Sequence, residues 1–282
     1  MDNFRLISGN TIYSLWHFAL TTKVVDSSVD LQIWRSKVLH PFVKLRKIMD
    51  ITRLFQLANY GPLDYYITIS KRFPEINPRN EEGITPLHVA ARSGQREIFE
   101  YIFGHTRERC PKTNEGITPF HLAAHYGHLE ICLLIMPNVA NKNPRDHFQW
   151  TPLHFAAENG FLNICKLIIH NINDKNPEDL MGITPLHIAA SKGHLSICEL
   201  IVAHGVDKNP KELSVCNTPF HFAALNGHAS ICRLLSDGIN GMLHKNIYGK
   251  TPLDWAIKGR KLDNRQLIEI FGATALLTGF YY

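Results

Sequence analysis

The sequence predicts an all-α solenoid of stacked two-helix units, and three observations in one phase carry that prediction. A Thr-Pro-hydrophobic triplet recurs at Thr85-Pro86-Leu87, Thr118-Pro119-Phe120, Thr151-Pro152-Leu153, Thr184-Pro185-Leu186, Thr218-Pro219-Phe220 and Thr251-Pro252-Leu253, at intervals of 33, 33, 33, 34 and 33 residues. Alanine pairs follow at Ala90/Ala91, Ala123/Ala124, Ala156/Ala157, Ala189/Ala190 and Ala223/Ala224, each trailed by a glycine at Gly94, Gly127, Gly160, Gly193 and Gly227. A row of isoleucines, Ile98, Ile131, Ile164, Ile197 and Ile231, continues with apolar residues three and four places on, the spacing of one buried helical stripe. Self-similarity at a fixed period of this length is the mark of a repeat architecture.

Each residue of the unit has a mechanical reason. Threonine is a good N-cap, and proline at the first helical position gives up only a donor that would be orphaned anyway, so a helix begins there. The paired alanines leave a thin face on which a neighbouring unit can approach closely. The glycine supplies the left-handed conformation that ends the helix, and a second helix with the isoleucine stripe follows at once. Neither helix can bury its apolar face alone, so the units must stack.

The 33-residue Thr-Pro-Leu-His-x-Ala-Ala-x-x-Gly-His unit resembles the ankyrin repeat over roughly residues 52–272. The linking segments agree, with Asn77-Pro78, Asn143-Pro144, Asn176-Pro177 and Asn209-Pro210, and with Cys110-Pro111 in phase. A residue before proline is pushed into extended geometry, which suits the outgoing arm of the β-hairpin fingers that the resemblance implies. The expected organisation is a helical extension over 1–51 and a degenerate capping repeat over 52–82. Repeats over 83–115, 116–148, 149–181, 182–215, 216–248 and 249–272 follow, then an apolar tail over 273–282. The capping repeat keeps Thr52, Leu54, Ala58 and Gly61 in phase, and the extension holds a helix over Asp30–Met49 bent at Pro41. The last repeat departs from the pattern: Asp254 replaces histidine, Arg260 stands where glycine should be, and the stripe Leu267, Ile270, Phe271 arrives three residues late. A polar-faced terminal cap is the expected reason. Gln149 and Cys216 replace the usual finger-tip glycine, and one extra residue lies between Pro210 and Thr218.

Composition names no partner. Thirty Lys+Arg against 25 Asp+Glu give a net charge of +5, short of the basic stripe expected of a DNA-binding domain. No apolar stretch approaches the roughly 18 residues needed to span a bilayer. With no secretory leader and no Asn-x-Ser/Thr sequon, a cytoplasmic or nuclear setting is expected. Arg35, Lys37, Lys44, Arg46 and Lys47 form a segment without acidic residues. It is either a capping helix with solvated cations or a contact for a nucleotide, RNA or lipid headgroup.

Chemistry-bearing residues are mostly absorbed by the repeat. Among 16 histidines, His88, His121, His154, His187 and His221 occupy one unit position and His128, His194 and His228 another, so a metal site is not expected. For the first set the resemblance implies a structural hydrogen bond to the adjoining finger. Cys132, Cys165, Cys198 and Cys232 also repeat. Equivalent positions on helices about 8–10 Å apart cannot form disulfides, which need Cα atoms within about 7 Å. Gly249-Lys250-Thr251 imitates the end of a phosphate loop, but His244 stands where its first glycine would be. No catalytic motif, catalytic residue or cofactor is expected.

The resemblance implies that a protein partner lies along finger tips and first-helix ends. The tips offer Glu81, Glu82, Asn114, Glu115, His147, Phe148, Trp150, Leu180, Met181, Ile247 and Tyr248. The helix ends offer Arg92, Ser93, His125, Tyr126, Glu158, Asn159, Ser191, Lys192, Leu225 and Asn226. Tyr126, Phe148 and Trp150 lead as binding anchors because aromatics dominate interface energetics. Trp150 has a second reading as a cover for the neighbouring finger. The expected state is a monomeric, non-enzymatic scaffold or adaptor. Asn77, Asn176 and Asn209, each with an acidic residue two before and an aliphatic residue eight before, resemble substrates of asparaginyl hydroxylation.

Overall fold

The computed structural model describes residues 51–236 and 244–272. The basic segment Arg35–Lys47, the helix expected over Asp30–Met49 and the apolar tail over 273–282 lie outside these residues.

Residues 53–60 are helical, and α1 (Leu63–Ser70) follows. Six first helices then alternate with six second helices. The first helices are α2 (Pro86–Ser93), α4 (Pro119–Tyr126), α6 (Pro152–Glu158), α8 (Pro185–Lys192), α10 (Pro219–Asn226) and α12 (Pro252–Gly259). The second helices are α3 (Arg96–His105), α5 (Leu129–Ile135), α7 (Leu162–Asn171), α9 (Leu195–Val202), α11 (Ala229–Leu235) and α13 (Asn264–Phe271). First helices pack on first helices in chain order, and second on second, with each pair closed by its own α–α contact. This is the solenoid that the repeat requires. Helices of 7 to 10 residues would be marginal in isolation, so their stability comes from stacking.

The core runs without a break from Leu54 to Phe271. All five alanine pairs are buried to 0%, which lets neighbouring backbones come close, and Ile98, Ile131, Ile197 and Ile231 are each 1% exposed. Each of these isoleucines contributes about 1.5–3 kcal/mol of burial. The repeated cysteines are buried among them. Burial pushes the thiols of Cys165, Cys198 and Cys232 up to about 12 and that of Cys132 up as well, so they are packing groups.

Among the described residues the fingers form no strand. Each is a hairpin closed by a backbone bond at its neck, as from Asn80 N to Ile84 O (2.9 Å), Thr113 N to Ile117 O (2.9 Å) and Asp146 N to Trp150 O (3.0 Å). The tip is tied by one polar side chain that accepts two backbone N–H groups. Asn80 Oδ1 takes Glu82 and Ile84, Asp146 Oδ1 takes Phe148 and Trp150, Asp179 Oδ1 takes Met181 and Ile183, and Asn246 Oδ1 takes Tyr248 and Lys250. In the finger carrying the extra residue the position is Glu212, whose additional methylene lets its carboxylate reach Ser214, Val215 and Asn217.

The three departures from glycine share one consequence. Gln149 (φ 65°), Cys216 (φ 59°) and Arg260 (φ 51°) are the non-glycine residues in the left-handed region among those described. That conformation costs an ordinary residue roughly 1–2 kcal/mol, against an entropic cost of about 0.5–1 kcal/mol for glycine. Gln149→Gly, Cys216→Gly and Arg260→Gly should therefore each raise the unfolding free energy by about 0.5–1 kcal/mol. Urea titration checks this, and a lowered midpoint in all three would refute it.

The glycine missing at 260 has moved to 259. A Cβ on Gly259 would lie 2.1 Å from the Leu225 carbonyl oxygen, closer than any side chain permits, so α12 approaches α10 through this glycine. Asp254 explains the other departure. It accepts from Thr251 N at 2.7 Å and so keeps the capping box, but it has no following finger among the described residues to reach.

Candidate partner-binding surface

The two histidine sets are ties between units, and they fix where the fingers stand. Thr85 N–H donates to His88 Nδ1 (3.2 Å), so Nε2 carries the hydrogen and donates to Ile117 O in the next unit (3.1 Å). His121, His154, His187 and His221 repeat this toward the carbonyls of Trp150, Ile183, Asn217 and Lys250. Burial holds His88, His121, His154 and His187 down to about 4, and His221 also low, so all five are neutral near pH 7. The second set reaches backward: His128 Nε2 meets Arg92 O at 2.9 Å, His194 meets Glu158 O at 3.2 Å, and His228 meets Ser191 O at 3.1 Å. Each of these rings lies against the glycine of the preceding unit, so a Cβ on Gly94, Gly160 or Gly193 would strike it within 2.7 Å. The sequence marked this set as periodic without giving it a role.

The fingers are also linked tip to tip. Asn114 N donates to Glu82 O (3.0 Å), His147 N to Glu115 O (2.9 Å), Leu180 N to Phe148 O (3.1 Å), Leu213 N to Met181 O (2.8 Å) and Ile247 N to Val215 O (3.0 Å). At the finger bases, Arg79, Lys112 and Arg145 each donate to a carbonyl 33 residues on, and Arg79 forms an ion pair with Glu108 at 2.8 Å. The tips therefore form one ordered row.

Along that row Phe148, Leu180, Met181, Leu213, Ile247 and Tyr248 are exposed, from 58% for Met181 to 70% for Tyr248. Six of the ten large hydrophobic residues exposed among those described thus lie on four consecutive tips. Leu213 was missed in the sequence because the extra residue blurs the register of its finger.

Behind the tips, Trp150, Glu158, Ile183, His187, Ile188, Ser191, Lys192 and Phe222 line a groove cavity of about 170 Å³ between the fingers and the first helices. Glu158 and Lys192 close its edge as an ion pair at 3.4 Å. Trp150 covers the neighbouring finger, the second of the two readings given for it. Its Nε1 donates to Asp179 Oδ2 of the next finger at 2.9 Å, while its ring packs on His154 and Phe155 and faces the groove. The residue after each first-set histidine varies in size, Val89, Leu122, Phe155, Ile188 and Phe222, with Trp255 in the same phase after Asp254, and Ile188 and Phe222 line the groove. Phe222 and Trp255 meet edge to face with centroids 6.0 Å apart. Sequence reasoning missed this position, although its variation in size inside an otherwise regular unit was the available signal.

The remaining candidates form a separate line at the first-helix ends. Tyr126 is 48% exposed and stands edge-on to His125. Asn159 Nδ2 meets His125 Nδ1 at 3.1 Å, and Asn226 Nδ2 donates to Ser191 Oγ at 3.3 Å while its oxygen accepts from Lys261. These two asparagines are engaged between units. The finger asparagines also have structural partners: Asn77 Oδ1 accepts from Leu87 N (2.9 Å), Asn176 Oδ1 from Leu186 N (3.1 Å), and Asn209 Nδ2 donates to Leu235 O (3.0 Å). Among the described residues no cluster of His, Cys, Asp and Glu could hold a metal ion, and no helix is long and apolar enough to cross a membrane.

Short helix pairs stacked in chain order, with an ordered row of tips over a lined groove, are the architecture of a repeat solenoid. Family models for ankyrin repeats match residues 54–146 and 132–212 in three-copy form and residues 216–246 as a single repeat, so the chain belongs to the ankyrin-repeat family. Ankyrin repeats generally mediate protein–protein interaction. No curated protein sequence matches the chain.

Proposed function

We propose that this chain is a non-enzymatic scaffold or adaptor that seats a protein partner on the finger-tip row and the groove behind it. The observation that carries the reading is the backbone-linked line of exposed apolar tips from Phe148 to Tyr248. Contiguous apolar surface is uncommon on a monomeric protein unless something covers it. The platform is held by hydrogen bonds between successive units, so little ordering entropy opposes binding. Phe148 and the groove residues Trp150, Glu158 and Lys192 form the centre, Met181 and Tyr248 extend it, and His125, Tyr126, Asn159 and Asn226 border it. A reducing cytoplasmic or nuclear setting suits the buried thiols.

A partner captured from the native cell, titrated calorimetrically, provides the test. Phe148→Ala and Tyr126→Ala should each weaken binding by more than about 1 kcal/mol while leaving the melting temperature nearly unchanged. Unchanged affinity in both variants would reject the surface. We also propose Asn77, Asn176 and Asn209 as hydroxylation acceptors. Their partners require the finger to open locally before an enzyme reaches the side chain. Intact mass of native-cell protein without a +16 species would end that idea.

A further inference from the structure

The row of tips is polarised in chemistry. The first two fingers present Glu81, Glu82 and Glu115, all exposed and without an ion pair among the described residues. The next four present Phe148, Leu180, Met181, Leu213, Ile247 and Tyr248. At the far end the exposed Lys245 and Lys250 flank the last tip. At the bases of these fingers Arg79 is paired with Glu108, while Lys112, Arg107 and Arg109 line a separate pocket below the tips.

From this order we infer that the partner is a single protein segment with a cluster of Lys or Arg at one end, seated on the first two fingers, and bulky apolar side chains over the rest. The inference rests on the binding surface proposed above and adds the partner's chemistry and its orientation on the array. Three tip carboxylates without an ion pair among the described residues repel an acidic or phosphorylated end and attract a basic one, while Lys245 and Lys250 disfavour the reverse placement. Exposed charges act mainly on selectivity and encounter rate, so affinity resides in the apolar tips. Units about 8–10 Å apart and an extended rise of about 3.3 Å per residue give about three partner residues per finger, or about 16 for the row.

The full chain is used to select from a displayed library of random 16-residue peptides, beside two variants. One is the triple variant Glu81→Lys, Glu82→Lys, Glu115→Lys. The other is Phe148→Ser, Leu213→Ser, Tyr248→Ser. These positions are exposed, and a thermal melt of each variant is recorded first to check that it folds. The wild-type chain should enrich peptides with a basic cluster at one end and apolar residues at the other. Charge reversal should weaken those peptides about tenfold at low salt, with a smaller effect at physiological salt. It should also select peptides acidic at the same end. The apolar-tip variant should lose them altogether. Peptides that lack a basic cluster, ignore charge reversal and yet are lost by the apolar-tip variant would overturn the polarity and leave the binding surface standing. No enrichment over the apolar-tip variant would overturn both.

Discussion

Acidification from pH 7 to about pH 4.5 is expected to unfold the array cooperatively. Five first-set histidines are at most 1% exposed, and each holds its fixed tautomer through Thr N–H donation to Nδ1 and Nε2–H donation to the next unit. Protonating Nδ1 removes an acceptor and places a cation in a desolvated site. Burial is the first cause that keeps four of them near 4 and the fifth low. An unfolded histidine titrates near 6.5, so between about 6.5 and 4 the unfolded chain binds more protons than the folded one. Stability therefore falls as pH falls through that window. Four such groups give a slope of up to about 5 kcal/mol per pH unit, enough to exhaust a total stability of about 5–15 kcal/mol within it. Glu212 and Asp254 are held low by hydrogen bonds to the folded chain, so their contribution disappears only at more acid pH. Urea midpoints recorded every half pH unit would measure the slope. His154→Gln should reduce it by about one proton and cost about 1–3 kcal/mol at pH 7, because glutamine can still accept the Thr151 N–H but leaves the Ile183 carbonyl stranded. A midpoint flat from pH 7 to 4.5 would contradict this account.

Leu153→Ala is expected to lower the stability of the whole array by about 2–5 kcal/mol, the range for truncating a fully buried leucine. Leu153 is 0% exposed in α6, a first helix packed on α4, on α8 and on its own partner α7. In a stack where each unit touches only its neighbours, a cavity in a central unit weakens the interfaces on both sides. Phe271→Ala should behave differently, although Phe271 stacks on Phe220 with centroids 5.5 Å apart at 4°. It lies in the last described helix, so its loss should detach the terminal pair at lower urea and leave a second, nearly unshifted transition. Equilibrium unfolding by circular dichroism distinguishes the two. A shift below about 1 kcal/mol for Leu153→Ala would mean that the central interfaces are not coupled as the packing implies.

Taken alone, the sequence determined the period, the helix starts at each Thr-Pro, the helix ends at each glycine, the buried stripe and the positions where the pattern breaks. These follow from caps, backbone freedom and side-chain spacing, which act within a few residues and so are written locally. It also singled out Phe148, Met181, Tyr248, Tyr126 and Trp150 as surface residues, because positions free of scaffold duty stand out against a regular unit. The tertiary structure alone decided what those residues meet. That His128 closes on Gly94 and Arg92, that Trp150 binds Asp179 while facing the groove, that Glu158 pairs with Lys192, and that the tips join in a line from Glu82 to Ile247 are contacts between units. Such contacts join residues about 30 positions apart. Their geometry depends on how closely neighbouring backbones settle on the alanine faces, a quantity fixed by the packing of the whole stack.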